Sequence, residues 1–373
     1  SQRVRSILLL SWCLLADIVA EDPKSPFSKA SFFKADDAEG VKDSEKLSFS
    51  RAYTLTLSPQ IIYSRSKLLT HLVASKVYKQ LEFQAVGNWW LFDGSDSGTL
   101  KRIPNGREDI FSDRSIDVRA KRALMNFVKF VVDYEDYPDV WEPFADAPLL
   151  DFLSTEFHLP ASLQTMILAL TLSTDIPTQV TVKYALPRIE RHLTSIGIFG
   201  PGFGSVFPKW GGGSEIAQVA CRAGAVGGGV YMLGAGIAKL DTKTTGVDVT
   251  LTNDEVVHTQ LVVDSQDLSV KASTPTKLVA KSISIISSDL ASLFTSTVEG
   301  APTAAVSIFA FPSNTLVVDG NSQQQPVYIM AHSSDTGECP VGQCELDNFL
   351  PLPCKALHDD PNYEYLSTLS DTP

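Results

Sequence analysis

Apolar and polar positions alternate with two different periods along this chain, and the switches between them divide it into segments. After Arg51, Tyr53, Leu55 and Leu57 alternate with Thr54, Thr56 and Ser58, which predicts a half-buried strand closed by Pro59. Ile61, Ile62, Leu68, Leu69, Leu72, Val73 and Val77 then recur at helical spacing. Glu82 to Val86 and Trp89 to Phe92 read as a strand pair joined by Gly87 and Asn88, because Gly-Asn suits a two-residue hairpin loop. From about residue 105 the period is helical. Asp113 is placed to cap a helix over 114–134, with Val118, Leu124, Phe127, Val128, Val131 and Val132 on one side. Arg114, Arg119, Lys121, Arg122 and Lys129 make its other side basic, which reads as a solvated face before it reads as a site for an acidic partner. Further helices are predicted over 148–158, 161–173 and 178–196, and strands over 247–251, 256–257, 261–263, 282–286, 305–311 and 327–331.

This order predicts an α/β (α+β) protein in which a helical subdomain, 105–196, is inserted into one sheet domain made of 50–104 and 197–332. Residues 1–49 read as an atypical N-terminal segment and polar linker, and 333–373 as an acidic, loosely ordered tail. Arg3 and Arg5 before the apolar run from Ile7 to Leu15, followed by Ala16 and Ala20, have the outline of a secretory leader. A buried helix accounts for the same residues.

Charge and cysteine content then narrow the function. The chain has 373 residues, 44% hydrophobic and 20% charged, which excludes wholesale disorder and a many-span membrane protein. Its net charge of −12 argues against a nucleic-acid partner. The tail holds Asp335, Glu338, Glu345, Asp347, Asp359, Asp360, Glu364 and Asp371 against Lys355 alone, so −7 of the −12 lies there. Cys13, Cys221, Cys339, Cys344 and Cys354 are spaced neither as a disulfide framework nor as a zinc knuckle, and the last three read as surface thiols. No metal site and no cofactor are predicted.

Thirteen of the 23 glycines fall between residues 197 and 236. Gly211 to Gly213 before a helix offers free amides to a phosphate, but the Lys and Ser or Thr of a P-loop are absent, as is a GxGxxG turn after a strand. Ser214 is expected to cap a helix over 215–225, whose small residues Ala217, Ala220, Cys221 and Gly224 allow close approach, before a strand from Val230 to Leu233. Cys221 reads as a packing residue, and His71, His158, His192, His258, His332 and His358 stand in no catalytic setting. Glu215, Gln218 and Arg222 fall on one face of that helix, and an exposed polar face explains them as well as a binding site does.

At this stretch the sequence resembles the family of Rab GDP-dissociation inhibitors and Rab escort proteins. Phe207, Pro208, Trp210, Gly211 and Gly213, then, after one inserted residue, Glu215, Ile216, Gln218, Ala220 and Arg222, then Gly228, Gly229, Tyr231, Met232 and Leu233 follow that family's pattern. A second stretch, residues 48–92, is similar through Thr56, Leu57, Ser58, Pro59 and through Gln80, Leu81, Glu82, Phe83, and the resemblance covers about residues 25–335. The segment VYIMAHSSDTGECPVGQ is most similar to the fungal escort branch. The family's opening strand and Gly-rich turn and its Tyr-Tyr-Gly-Gly element have no counterpart in residues 1–24. The resemblance therefore implies a flavin-binding-like sheet domain, incomplete at its N-terminus.

It also implies a non-catalytic accessory component of Rab geranylgeranyltransferase. Such a chaperone binds Rab GTPases in the GDP state through Glu215, Gln218, Arg222, Tyr231 and Met232. It presents them to the geranylgeranyl transferase catalytic heterodimer, shelters the geranylgeranyl lipid with its helical subdomain, and is cytoplasmic with transient contact to a membrane surface. The alternative is a flavin-dependent oxidoreductase of the related amine-oxidase-like fold.

Overall fold

A computed structural model describes residues 7–10, 47–94, 98–263, 279–318 and 320–351. It forms two compact units, Leu47–Ile216 with Thr276–Pro373, and Ser1–Lys46 with Ala217–Pro275.

The larger unit is built on an eight-stranded sheet. Its strands run in the order Val279–Ile286, Cys344–Pro351, Val327–Ser333, Val306–Phe311, Phe83–Asp93, Ser205–Pro208 and Ile62–Tyr63, with Thr99–Arg102 also on Phe83–Asp93. All neighbours are antiparallel except Val306–Phe311 and Phe83–Asp93, which are parallel.

Phe83–Asp93 is one strand of 11 residues, not the expected hairpin. Val306 pairs with Val86 but Ser307 with Asn88, so Gly87 is a bulge. A Cβ on Gly87 would stand 2.9 Å from the Cβ of Ala304, and that close approach, rather than a turn, is why glycine is there. Tyr53 to Leu57 is not a strand either. It is an extended connection whose buried residue is Thr56, because that hydroxyl and the Thr54 amide both bond to Glu338. The expected helix from Ile61 shrinks to Lys67–Ala74, where Ser66 accepts from the Leu68 amide as N-cap, and Ile62–Tyr63 is taken by the sheet.

The helical segment keeps a core of its own inside this unit. Asp117, not Asp113, caps its main helix, Val118–Val132, accepting from the amides of Arg119 (2.8 Å) and Ala120 (2.9 Å). Asp113 bonds to Ser115 in the preceding turn instead. The helices Leu149–Thr155, Ala161–Ala169 and Val182–Ser195 match the expected positions, with shorter ends. Ala120, Leu124, Phe127, Leu149, Phe152, Leu153, Leu186 and Ile189 fill their common core.

The acidic tail is corrected most. Residues 344–351 form a strand inside the sheet, and Glu338, Glu345 and Asp347 have no solvent exposure. Cys339 and Cys344 are buried rather than surface thiols, and burial pushes them up to about 12 and about 11. Residues 352–373, with the remaining acids and Cys354, lie outside the described residues.

In the smaller unit Val230–Leu233 pairs in parallel with Ile7–Leu10, so that part of the N-terminal apolar run is a strand where a buried helix was one reading. Ile237–Lys243, Gly246–Leu251 and Val256–Thr259 form an antiparallel sheet of three strands, and 261–263 adds no fourth. Sequence reasoning had joined all of 197–332 to one sheet domain; contacts instead divide it at Ala217 and Pro275.

Candidate functional site

The polar helix of the candidate site runs from Gly213 to Val226 without interruption. Its start is a tight turn in which Gly212, Ser214 and Glu215 donate their amides to the carbonyls of Pro208, Gly211 and Gly212. Ser214 is not the cap expected of it: its hydroxyl donates to the Gly211 carbonyl at 2.7 Å.

Glu215, Gln218 and Arg222 lie on this helix at spacings of three and four, within a narrow arc of its circumference. Arg222 is exposed, Glu215 and Gln218 half-buried. No hydrogen bond or ion pair to these three side chains is found among the described residues. Glu215 belongs to the larger unit and the other two to the smaller.

Tyr231 packs against this helix. Its hydroxyl sits where a Cβ on Gly224 would be and bonds to the Cys221 side chain; desolvation, then Cys221, raises its phenol above the usual range. Gly224 is thus the notch that lets the strand close on the helix. Met232, next along the strand, points to the opposite face and is half-buried. The structure therefore puts three of the five expected residues on one face and uses Tyr231 to brace the helix.

Sequence reasoning missed a second polar cluster, wholly inside the larger unit. His332 Nδ1 lies 2.6 Å from Glu338 Oε2, and Thr56 Oγ1 donates to Glu338 Oε1 at 2.5 Å. His332 Nε2 is 3.8 Å from Asp347, and Lys281 Nζ is 3.3 Å from the other Asp347 oxygen while donating to the carbonyls of Thr56 and Leu57. The Phe207 ring stands edge-on to His332, 4.7 Å between centroids. Glu345 pairs with His332 across the strands but finds no well-placed donor for its carboxyl oxygens. Burial first, then the neighbouring Glu338 and Asp347, together raise it from 4.5 to about 9 against the opposing pull of Lys281. Burial also raises Asp347 and lowers Lys281. The signal was present in Cys344-Glu345-Leu346-Asp347-Asn348, where acids alternate at the period of a strand.

The fold and its helix start do not provide a flavin or dinucleotide cradle. Three amides of the Gly211–Gly213 turn region are bonded within the chain, and Gly212 packs on the Phe207 ring at 2.9 Å from where its Cβ would be. No glycine follows the Ile7–Leu10 strand before Gly40, so a Gly-rich turn on a strand end is missing from these residues.

A model of the GDP dissociation inhibitor family matches residues 29–299. The chain belongs to that family. It is 35% identical over 196 residues to the Rab proteins geranylgeranyltransferase component A of Saccharomyces cerevisiae, covering 52% of this chain and 32% of that one. To the Candida albicans protein of the same name it is 30% identical over 303 residues, covering 79% and 46%. The chain thus spans less than half the length of these relatives. Among solved structures, a Rab GDI from Plasmodium falciparum aligns with a TM-score of 0.61 at 16% identity, over 91% of this chain and 73% of that one. An oxidoreductase from Methanosarcina mazei aligns at 0.50 and 12%, over 81% and 71%. Likeness at these identities is one of fold, and it bears out the mixed α/β architecture.

Proposed function

We propose that this chain is a Rab escort or GDP-dissociation-inhibitor-like chaperone that binds Rab GTPases in the GDP state. It presents them for geranylgeranylation as an accessory, non-catalytic component, and covers the prenyl groups during vesicle traffic. The observation that carries this reading is the helix Gly213–Val226 with Glu215, Gln218 and Arg222 at spacings of three and four, their side chains uncommitted among the described residues, inside the residues matched by the family. Charged and amide groups on a rigid helix fix a partner's orientation more sharply than apolar area does, which suits recognition of one nucleotide state. The names of the fungal relatives support the link to Rab prenylation.

The helical segment suits the lipid. Each buried methylene of a prenyl chain is worth about 0.8 kcal/mol, and this core is almost wholly apolar. A cavity of about 140 Å³ lies between helices and sheet, lined by Leu150, Leu168, Ala169, Phe311 and Tyr328. That is below the several hundred Å³ of an ordinary ligand pocket, about 300–1,000 Å³, so a whole prenyl chain requires the helices to part. No helix of the described residues is long and apolar enough to cross a membrane; a cytoplasmic carrier that touches the bilayer while loading or delivering a Rab fits the reading. Partners are then Rab–GDP, the catalytic heterodimer of the transferase and the geranylgeranyl lipid.

Titration of the purified chain with prenylated Rab–GDP tests this. Glu215→Ala combined with Arg222→Ala is expected to weaken binding, and unchanged affinity rejects the helix as the contact. The oxidoreductase alternative has the weaker support, since the family model and the fungal relatives are those of GDP dissociation inhibitors and component A proteins; purified protein carrying a flavin absorbance band would favour it.

A further inference from the structure

We propose that Trp210 is a partner-contact residue of the candidate site, an aromatic anchor just before the Gly213–Val226 helix, and that Glu338 is the residue that positions it. This rests on the Rab-binding reading of the chain. Trp210 leads directly into the Gly211–Gly213 turn, and its side chain is 52% exposed. Its backbone has φ of +72°, the left-handed region, where a bulky residue is a genuine outlier. Such strain persists only where the surroundings enforce it, and it concentrates at functional positions.

The surroundings here can be named. The Trp210 amide donates to the Thr336 carbonyl at 2.8 Å, and its ring lies on Gly337. Lys209 Nζ sits 4.6 Å from the ring centroid and 3.0 Å from Glu82, which fixes the solvent-side flank. The next residue after Gly337 is Glu338. Its carbonyl accepts from the Thr54 amide at 2.9 Å, and its buried carboxylate is held by Thr56 and His332. The loop carrying the tryptophan's support is thus pegged into the buried polar cluster and cannot shift without breaking it.

A tryptophan needed only for packing would be covered. This one is rigid and half in solvent, five residues before Glu215 in the chain, and aromatic side chains held in this way dominate the energetics of protein interfaces. Prepaid rigidity also lowers the ordering cost of binding.

Glycine accepts the Trp210 backbone without strain, so Trp210→Gly separates contact from folding. Full-length chain is titrated with fluorescent prenylated Rab–GDP, and the thermal midpoint of each variant is recorded alongside. Trp210→Gly is expected to weaken binding at least about tenfold with an equal or higher midpoint. Glu338→Gln, which keeps the hydrogen bond to Thr56, is expected to bind within about threefold of the unmodified chain. Glu338→Ala is expected to lose as much affinity as Trp210→Gly, with little further loss in the double variant, the signature of two residues acting as one. Wild-type affinity in Trp210→Gly, or additive losses in the double variant, overturns the proposal. If the unmodified chain binds no Rab, the anchor and the Rab reading fall together; if only the Glu215→Ala, Arg222→Ala pair is silent, the helix contact falls and the anchor stands.

Discussion

The helical segment and the far end of the sheet bury side chains by opposite chemistry within one compact unit. Between the helices the interior is Leu149, Phe152, Leu153, Val182, Leu186 and Ile189, all fully covered. At the sheet end it is His332, Glu338, Glu345 and Asp347, covered just as completely. An apolar core gains from any neighbour of suitable size, because the hydrophobic effect has no direction. Buried charges gain only from partners at set distances and angles, and lose heavily without them. The first kind of interior tolerates rearrangement of its members. The second does not, because each shift breaks a partner contact.

Four variants would break or sharpen this contrast. The largest effect is expected from Phe152→Ala, which removes a fully covered ring and should cost about 3–5 kcal/mol in denaturant unfolding; a cost under 1 kcal/mol would mean the helical core is loosely packed already. Glu345→Gln should act in the other direction. The folded-state value near 9 lies above the ordinary 4.5, so between these pH values the folded chain holds the extra proton. Stability from this group is complete below pH 4.5 and is lost by about 1.4 kcal/mol per pH unit as pH rises toward 9. Urea midpoints at pH 6, 7 and 8 should therefore fall in the native chain and stay flatter in Glu345→Gln. Equal slopes would show that the carboxyl is ionised and paired.

A smaller change is expected at Asp117→Ala, which leaves two amides at the start of the Val118–Val132 helix without their acceptor, at about 1 kcal/mol. The smallest is expected from Glu215→Ala with Arg222→Ala, within about 0.5 kcal/mol of native stability because neither side chain has a partner among the described residues. Equilibrium unfolding measures both. A large loss from the Glu215 and Arg222 pair would make that face structural and weaken the case for recognition there.

Much of this was legible along the chain. The helices between 118 and 195 follow the 3.6-residue apolar period, and of the residues named for the first of them Leu124, Phe127 and Val131 are core while Val118 and Val132 are exposed. The strands Val230–Leu233, Val306–Phe311 and Val327–Ser333 stand where short apolar runs predicted them, and the polar face of Glu215, Gln218 and Arg222 followed from spacing alone. What failed was read from local chemistry that tertiary contacts overrode. Gly87-Asn88 has the composition of a turn, yet Asn88 donates to the carbonyls of Leu293 and Thr295, more than 200 positions away, and holds the strand straight through. Ser214 and Asp113 looked like caps, but one hydroxyl turned back to Gly211 and the other carboxylate was engaged by Ser115.

The sequence by itself determined where helices and most strands run, because periodicity is a property of neighbours in the chain. It also carried the family, through residues 29–299. Only the tertiary structure decided that Glu338, Glu345 and Asp347 are interior, that Tyr231 braces the helix at Gly224, and that Trp210 is held strained and half exposed. Each of these depends on groups distant in sequence meeting at a few ångströms. Charge in particular reads as surface until a partner is seen: the acids that seemed to belong to a solvated tail are buried because Thr56, Lys281 and His332 arrive from three other segments to meet them.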